Sequence, residues 1–367
     1  IRFGEKLSGC EYACRFIEEI EKTDVEIRTL TFASQISNIS GGFELSLTQN
    51  NGYERVFSKT LILATGCRER TAKQVAIHGT RPAGVLTAGA AQYFVNVLGQ
   101  LPGKNCVILG SGDIGLIMAR RLTLEGAKVL GVYEAKSEPS GLSRNIYQCL
   151  VDFDIPLHLS HTVIEVHGRE RLSGVTVCAV DQRMQPISGT EEYIPCDTLI
   201  VSVGLIPENE LAETLGIAIL PKTKGPLCDQ DYQTTVAGVF SCGNALHVND
   251  LVDYVSESGE KAGAAASKQA ARPFTSSNYV SVKGSSDFAY IVPSRLEAET
   301  NKKVQFFFRS KATRGTITVK LYLGNEEIFR KKYGGLRPPE MEKVEIDFAQ
   351  LELKEDLYFV MEEAAHE

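Results

Sequence analysis

The chain has 367 residues, 43% hydrophobic and 23% charged, with a net charge of −7 and a pI near 5.6. That is the profile of an ordinary globular protein of two or three domains. It excludes nucleic-acid and anionic-membrane partners, which would need a concentrated basic face, and no apolar run approaches the ~20 residues that span a bilayer.

The chain opens on "SGCEYACRFIEEIEK", a helix pattern with Tyr12, Phe16 and Ile20 four residues apart. Cys10 and Cys14 share a face of it and read as small core residues rather than a metal or redox pair. The nine cysteines show no CxxC and no regular spacing, as expected of reduced thiols in a cytoplasmic protein. The six histidines form no HExxH or other zinc spacing, so no metal is expected. "FELSLTQNNGYERVF" alternates as a hairpin with its turn at "NNGY". "TLILATG" follows as a buried strand ending in Thr65 and Gly66.

Residues 106–134, "CVILGSGDIGLIMARRLTLEGAKVLGVYE", carry the clearest chemical signal. A short apolar run predicts a buried parallel strand. Gly110, Gly112 and Gly115 follow at once, with Ser111, Asp113 and Ile114 between them. The first glycine permits a tight turn, the second lets backbone approach a pyrophosphate, and the third lets helix pack on strand. A helix then runs to Gly126, with Ile114, Ile117, Met118 and Leu122 as its packed face. Its first N–H groups would meet the phosphates. The next strand ends in Glu134, 19 residues past Gly115 (134 − 115), where a carboxylate can hold a ribose 2′-hydroxyl. That carboxylate would repel a 2′-phosphate, so NAD(H) is expected over NADP(H), with Lys136 softening the preference.

Farther on, "TLIVSVGLIPENE" is a second buried strand running into a turn at Gly204. "GVFSCGN" is a short strand closed by Gly243 and Asn244, and an Ala-rich helix follows. Cys67 and Cys242 sit beside these turns and read as packing residues. "ARPFTSSNYVSVKGSS" reads as a linker. Alternating runs over 287–364 suggest a small antiparallel sandwich, with "FRKKYGGLRPPE" as a lysine-protected edge.

This order of elements resembles the pyridine nucleotide–disulfide oxidoreductase superfamily over residues 1–272. "LATGCRERT", "GSGDIGLIMARRLTLEGAKV" and "GVFSCGNALHVNDLVDYVS" together look closest to one branch. It holds sarcosine oxidase alpha subunits, amine and opine dehydrogenase subunits, and the FAD-dependent oxidoreductases that accompany glycerol-3-phosphate dehydrogenase. The resemblance implies an α/β fold: a Rossmann-like NAD domain (104–220) inserted in an FAD-type domain (1–103 and 221–274), then a β domain (275–367). It places Gly110, Ser111, Gly112, Asp113, Ile114, Gly115, Glu134 and Gly204 on the NAD side, and Thr65, Gly66, Gly243 and Asn244 on the FAD side.

Three departures qualify it. No strand–glycine turn–helix for FAD precedes residue 104, so that unit is expected upstream of Ile1, and the chain alone is expected to bind FAD poorly. Asn244 stands where the superfamily usually has Asp. The missing CxxC argues against dithiol exchange. The expected activity is hydride passage between nicotinamide and flavin and on to a small-molecule substrate or redox partner subunit, in a homo- or hetero-oligomer. The alternatives are a non-catalytic scaffold subunit, and a product that keeps NAD and has lost flavin. No catalytic acid or base identifies itself.

Overall fold

A computed structural model describes residues 2–272 and 277–363. Its centre is built from runs of apolar residues short enough for strands and buried on both faces. Asn105–Leu109, Lys128–Glu134, Thr198–Val201, Val85–Thr87 and Leu157–Leu159 form a five-stranded sheet in which every neighbouring pair is parallel. Because side chains alternate along a strand, Cys106, Ile108 and Ile200 pack under the helices Ala88–Asn96 and Asp113–Leu124. Val107, Leu109, Leu199 and Val201 pack against a four-stranded sheet containing His161–Gly168 and Leu172–Ala179. Three layers result, with the glycine turn at the carboxyl end of the middle one.

The hairpin appears as expected, with Gln49 paired to Gly52 across Asn50-Asn51. Leu61–Leu63 pairs in parallel with Val239–Ser241 as a two-stranded sheet, packed on Ile36, Phe43 and Ala212. Covered on one face only, this strand leaves Ile62 42% exposed, contrary to the fully buried strand expected of "TLILATG".

Beyond residue 277, five strands ordered Arg295–Glu297, Tyr279–Gly284, Leu357–Glu363, Ile317–Leu323, Glu326–Tyr333 share one core with a second sheet, Phe288–Val292, Lys303–Ser310, Glu342–Asp347. Val304, Phe306 and Phe308 point into it from one sheet and Ile317, Val319 and Leu321 from the other. The basic run Glu326–Tyr333 is an edge strand. Among the described residues no helix is long and apolar enough to cross a membrane.

Three further expectations are corrected. Tyr279–Gly284 lies in the stretch read as linker, yet it is a strand: Val280 and Val282 face the core while Ser281 and Lys283 face away. The 273–276 part of that linker, with the expected domain boundary, lies outside the described residues. Cys10 and Cys14 are exposed, not core. Their helix, Gly9–Ile20, is capped by Ser8 and Glu11 but buries no residue, touching the long helix Val252–Ala270 through Tyr12 and Ser256 (2.8 Å). Finally, the packed face of Asp113–Leu124 is Gly115, Leu116, Met118, Ala119 and Leu122; Ile114 and Ile117 are over 40% exposed and line a cleft instead.

Candidate functional site

The glycine turn is shaped by its neighbours. Gly110 has φ +101° and donates its N–H to the Tyr133 carbonyl at 2.7 Å; a Cβ there would collide with the Ser202 carbonyl. A Cβ on Gly115 would collide with the Gly110 carbonyl, so helix and strand approach as closely as the third glycine allows. Gly112 differs. It caps the helix with φ −64°, and a Cβ on it would meet no protein atom within 4 Å. It opens onto a cleft of about 880 Å³.

Glu134 is buried at the end of its strand, 7% exposed. Its Oε2 accepts from Ser111 N (3.1 Å) and Ser111 Oγ (2.6 Å), and its Oε1 from Lys136 N (3.1 Å). A carboxylate has about four acceptor positions, so one remains on Oε1 for a hydroxyl. Ser111 Oγ in turn accepts from Ser140 N at 2.9 Å. The Ser111 side chain therefore ties the turn to the loop after Glu134 and is not itself presented to a ligand. Asp113 Oδ1 accepts from Leu142 N (2.9 Å) and Asn145 Nδ2 (2.7 Å), pinning the same loop. Ile114 and Gly204 lie on the cleft wall, and the Gly204 carbonyl accepts from Arg70 N at 3.1 Å.

The residues expected on the flavin side also converge, because their two strands are parallel and end together. Thr65 Oγ1 donates to the Glu208 carbonyl (2.5 Å), and the Gly66 carbonyl accepts from Glu208 N (3.0 Å). Gly243, at φ +62°, donates its N–H to Ser258 Oγ at 2.8 Å. Asn244 Nδ2 lies 3.6 Å from Cys67 Sγ, and Asn244 Oδ1 accepts from Asn249 N at 3.0 Å. Burial pushes the Cys67 thiol up, with the Asn244 hydrogen bond opposing, so it stays protonated at neutral pH. Asn249 and Leu251, at the start of the long helix, reach the cleft.

The far wall of the cleft was not expected from sequence. Glu69, Asp250, Tyr254 and the 338–341 segment line it. Arg309 organises that wall: it pairs with Asp250, donates to the Pro339 carbonyl, and meets the Tyr290 hydroxyl at 3.0 Å. Met341 N donates to Asp250 Oδ2 at 2.7 Å. No pattern near residues 309 or 338–341 marks them, since their partners lie 19 to 91 positions away in sequence.

The donor set fits a dinucleotide at the glycine turn: a cradle open at Gly112, free N–H groups at a helix start, and a residual acceptor on Glu134. For FAD the fit is partial. The ends of the two parallel strands come together, but no second strand–glycine turn–helix occurs among the described residues.

The chain is similar to several known proteins. The hydrogen cyanide synthase component HcnB of Pseudomonas aeruginosa, itself a subunit, is 31% identical over 172 residues, 43% of this chain and 36% of that protein. An opine oxidase subunit of Agrobacterium tumefaciens is 24% identical over 254 residues, 66% of this chain and 48% of that protein. The chain thus spans about a third to a half of the length of these relatives. Thioredoxin reductase of T. acidophilum shares the fold, with a TM-score of 0.58 at 20% identity, over 73% of this chain and 83% of that one. An FAD-dependent pyridine nucleotide-disulphide oxidoreductase from Desulfovibrio vulgaris superposes with a TM-score of 0.55 at 17% identity, over 85% and 81%. Residues 2–270, more than half of the chain, match the model of one family: the chain belongs to the pyridine nucleotide-disulphide oxidoreductase family, whose enzymes are FAD- and NAD(P)-dependent oxidoreductases.

Proposed function

We propose that the chain is the nucleotide-binding part of an NAD(H)-linked, FAD-dependent oxidoreductase, or of a subunit of one. NAD and FAD supply the hydride chemistry when bound; the protein binds, orients and excludes water. On this reading the first N–H groups of Asp113–Leu124 hold the pyrophosphate, and Glu134 Oε1 accepts from a ribose hydroxyl. Ile114, Ile117 and Gly204 wall the nicotinamide end. Thr65, Gly66, Gly243 and Asn244 face the flavin, where the Asn244 amide bonds a hydroxyl or phosphate without adding charge. The proposed division is a nucleotide domain over 104–220 inserted between 1–103 and 221–274, with a β-sandwich over 275–367.

The observation that carries the reading is Gly112: of the three turn glycines it alone has a Cβ direction that meets no protein atom, and it faces the cleft. The test is calorimetric titration with NADH, together with NADH addition to the FAD-loaded full-length protein under anaerobic conditions. Binding with rapid bleaching of the flavin's visible absorption supports an oxidoreductase. Absence of any binding heat and of any bleaching overturns it.

A second reading is favoured by the relatives named as subunits, HcnB and the opine oxidase component. Here the chain is a non-catalytic NAD-binding scaffold in a hetero-oligomer, placed in the amine, opine and glycerol-phosphate branch. Tight NADH binding without bleaching favours it. For either reading the nine free cysteines accord with a cytoplasmic setting, and the second substrate or partner subunit would meet the far wall of the cleft.

A further inference from the structure

A pyrophosphate brings two negative charges to a cleft whose wall already carries four carboxylates, Glu69, Asp113, Asp250 and Glu340. Three are engaged within the protein. Glu69 Oε1 accepts from Gly89 N at 2.8 Å, Asp113 is held by Leu142 and Asn145, and Asp250 by Arg309 and Met341. Two arginines line the same cleft. Arg309 is consumed by Asp250, Tyr290 and Pro339. Arg144 is exposed and has no hydrogen bond or ion pair with any described residue.

Arg144 is nevertheless anchored on both sides. Leu142 N and Asn145 Nδ2 clasp Asp113, the second residue past Ser111 in the glycine turn. Ser143 Oγ accepts from Arg337 Nη1 at 2.6 Å, a bond spanning 194 positions from the loop that joins the two C-terminal sheets. Arg144 also lies in the first turn of the helix Ser143–Cys149, where a cation opposes the helix dipole and gains nothing locally. A guanidinium fixed by its backbone, unpaired and lining the same cleft as Gly112 suits a bidentate phosphate contact.

We propose that Arg144 is the pyrophosphate-binding cation of the nucleotide site, with Arg337, in the loop that joins the two C-terminal sheets, its positioning residue. The proposal rests on the NAD(H) reading above. It makes Asp113 a structural clasp whose charge is turned to the loop, and it makes nucleotide affinity depend on a region outside the family match at 2–270.

The test compares NADH and ADP-ribose by calorimetry with adenosine by saturation-transfer NMR, in the intact chain. Arg144→Met is expected to weaken NADH and ADP-ribose roughly tenfold or more, as loss of a charge-assisted phosphate contact should, and to leave adenosine and Tm unchanged. Arg144→Lys is expected to recover part of the loss. Arg337→Met is expected to weaken ADP-ribose but not adenosine, and to have no further effect once Arg144 is Met. Unaltered ADP-ribose affinity in Arg144→Met, with wild type binding normally, overturns this inference alone. Wild-type protein that binds neither NADH nor ADP-ribose overturns the nucleotide reading, and this inference with it.

Discussion

Ser111 Oγ donates to Glu134 Oε2 at 2.6 Å, and both residues are buried. The same hydroxyl accepts from Ser140 N, so one side chain couples the glycine turn, the Glu134 carboxylate and the loop that follows. Ser111→Ala removes both bonds and leaves the Ser140 N–H without its acceptor. The expected cost is about 1–3 kcal/mol, the range for an orphaned buried polar group, read as a lower midpoint in urea. NADH affinity should fall with it, because Glu134 loses one of three restraints. Unchanged stability would show that water replaces the hydroxyl without loss.

The turn glycines separate folding from binding. Gly110 has φ +101° and no room for a Cβ, so Gly110→Ala should destabilise by more than the ~1–2 kcal/mol of a left-handed conformation alone. Gly112→Ala meets neither obstacle, since φ is −64° and no protein atom lies within 4 Å. It should melt as wild type does yet bind NADH more weakly, its methyl occupying the approach to the helix start. A Gly112→Ala protein with wild-type affinity would place the nucleotide elsewhere.

The turn was legible because its determinants are local: an apolar strand, three spaced glycines and an acid at the end of the next strand. The exposed stripe of the following helix was not. Ile114 and Ile117 are as apolar as Leu116 and Met118, and no periodicity tells a stripe that packs on a sheet from one that faces a cleft. Tyr279–Gly284 alternates as a strand should, but its Ser, Lys and Gly gave it the composition of a linker. The wall formed by Arg309, Asp250 and 338–341 is a matter of tertiary pairing alone, with partners far apart in the chain. The charge on Arg144 was visible; its freedom from partners was not.

Thiol accessibility checks the corrected placement of the first helix. Cys10 and Cys14 are exposed, Cys67 is half-buried and the other six cysteines are buried. Burial also pushes the Cys106 thiol up to about 12 and Cys196 to about 11. A native protein treated with an aromatic disulfide reagent at pH 8 should therefore release two equivalents rapidly and a third slowly. The remaining six should react only in denaturant. Slow reaction at Cys10 and Cys14, identified by mass spectrometry, would mean that this helix is covered in the assembled protein.

Two buried groups set opposing responses to acid. Burial drives His247 down from 6.5 to about 4, with Arg309 adding to the shift, so the folded state holds it neutral. Between pH 6.5 and 4 the unfolded chain binds the extra proton, and stability falls as the solution is acidified, by on the order of 3 kcal/mol in full. Asp229 behaves oppositely. Burial raises it from 3.8 to about 6, against the Asp231 and Gln233 N–H groups that its Oδ1 accepts. Between pH 3.8 and 6 the folded state binds the extra proton, so stability falls as pH rises, by a similar amount. The two slopes nearly cancel in the wild type. Asp229→Asn keeps an Oδ1 acceptor for both N–H groups and removes the charge. It should be more stable at pH 7 and should lose stability steeply from pH 6.5 to 4, while His247→Phe should do the reverse and gain stability from pH 6 to 4. Urea midpoints at half-unit steps measure both curves. Other carboxylates contribute equally to all three proteins, so the differences isolate these two residues, and parallel curves for Asp229→Asn and wild type would rule out a raised Asp229.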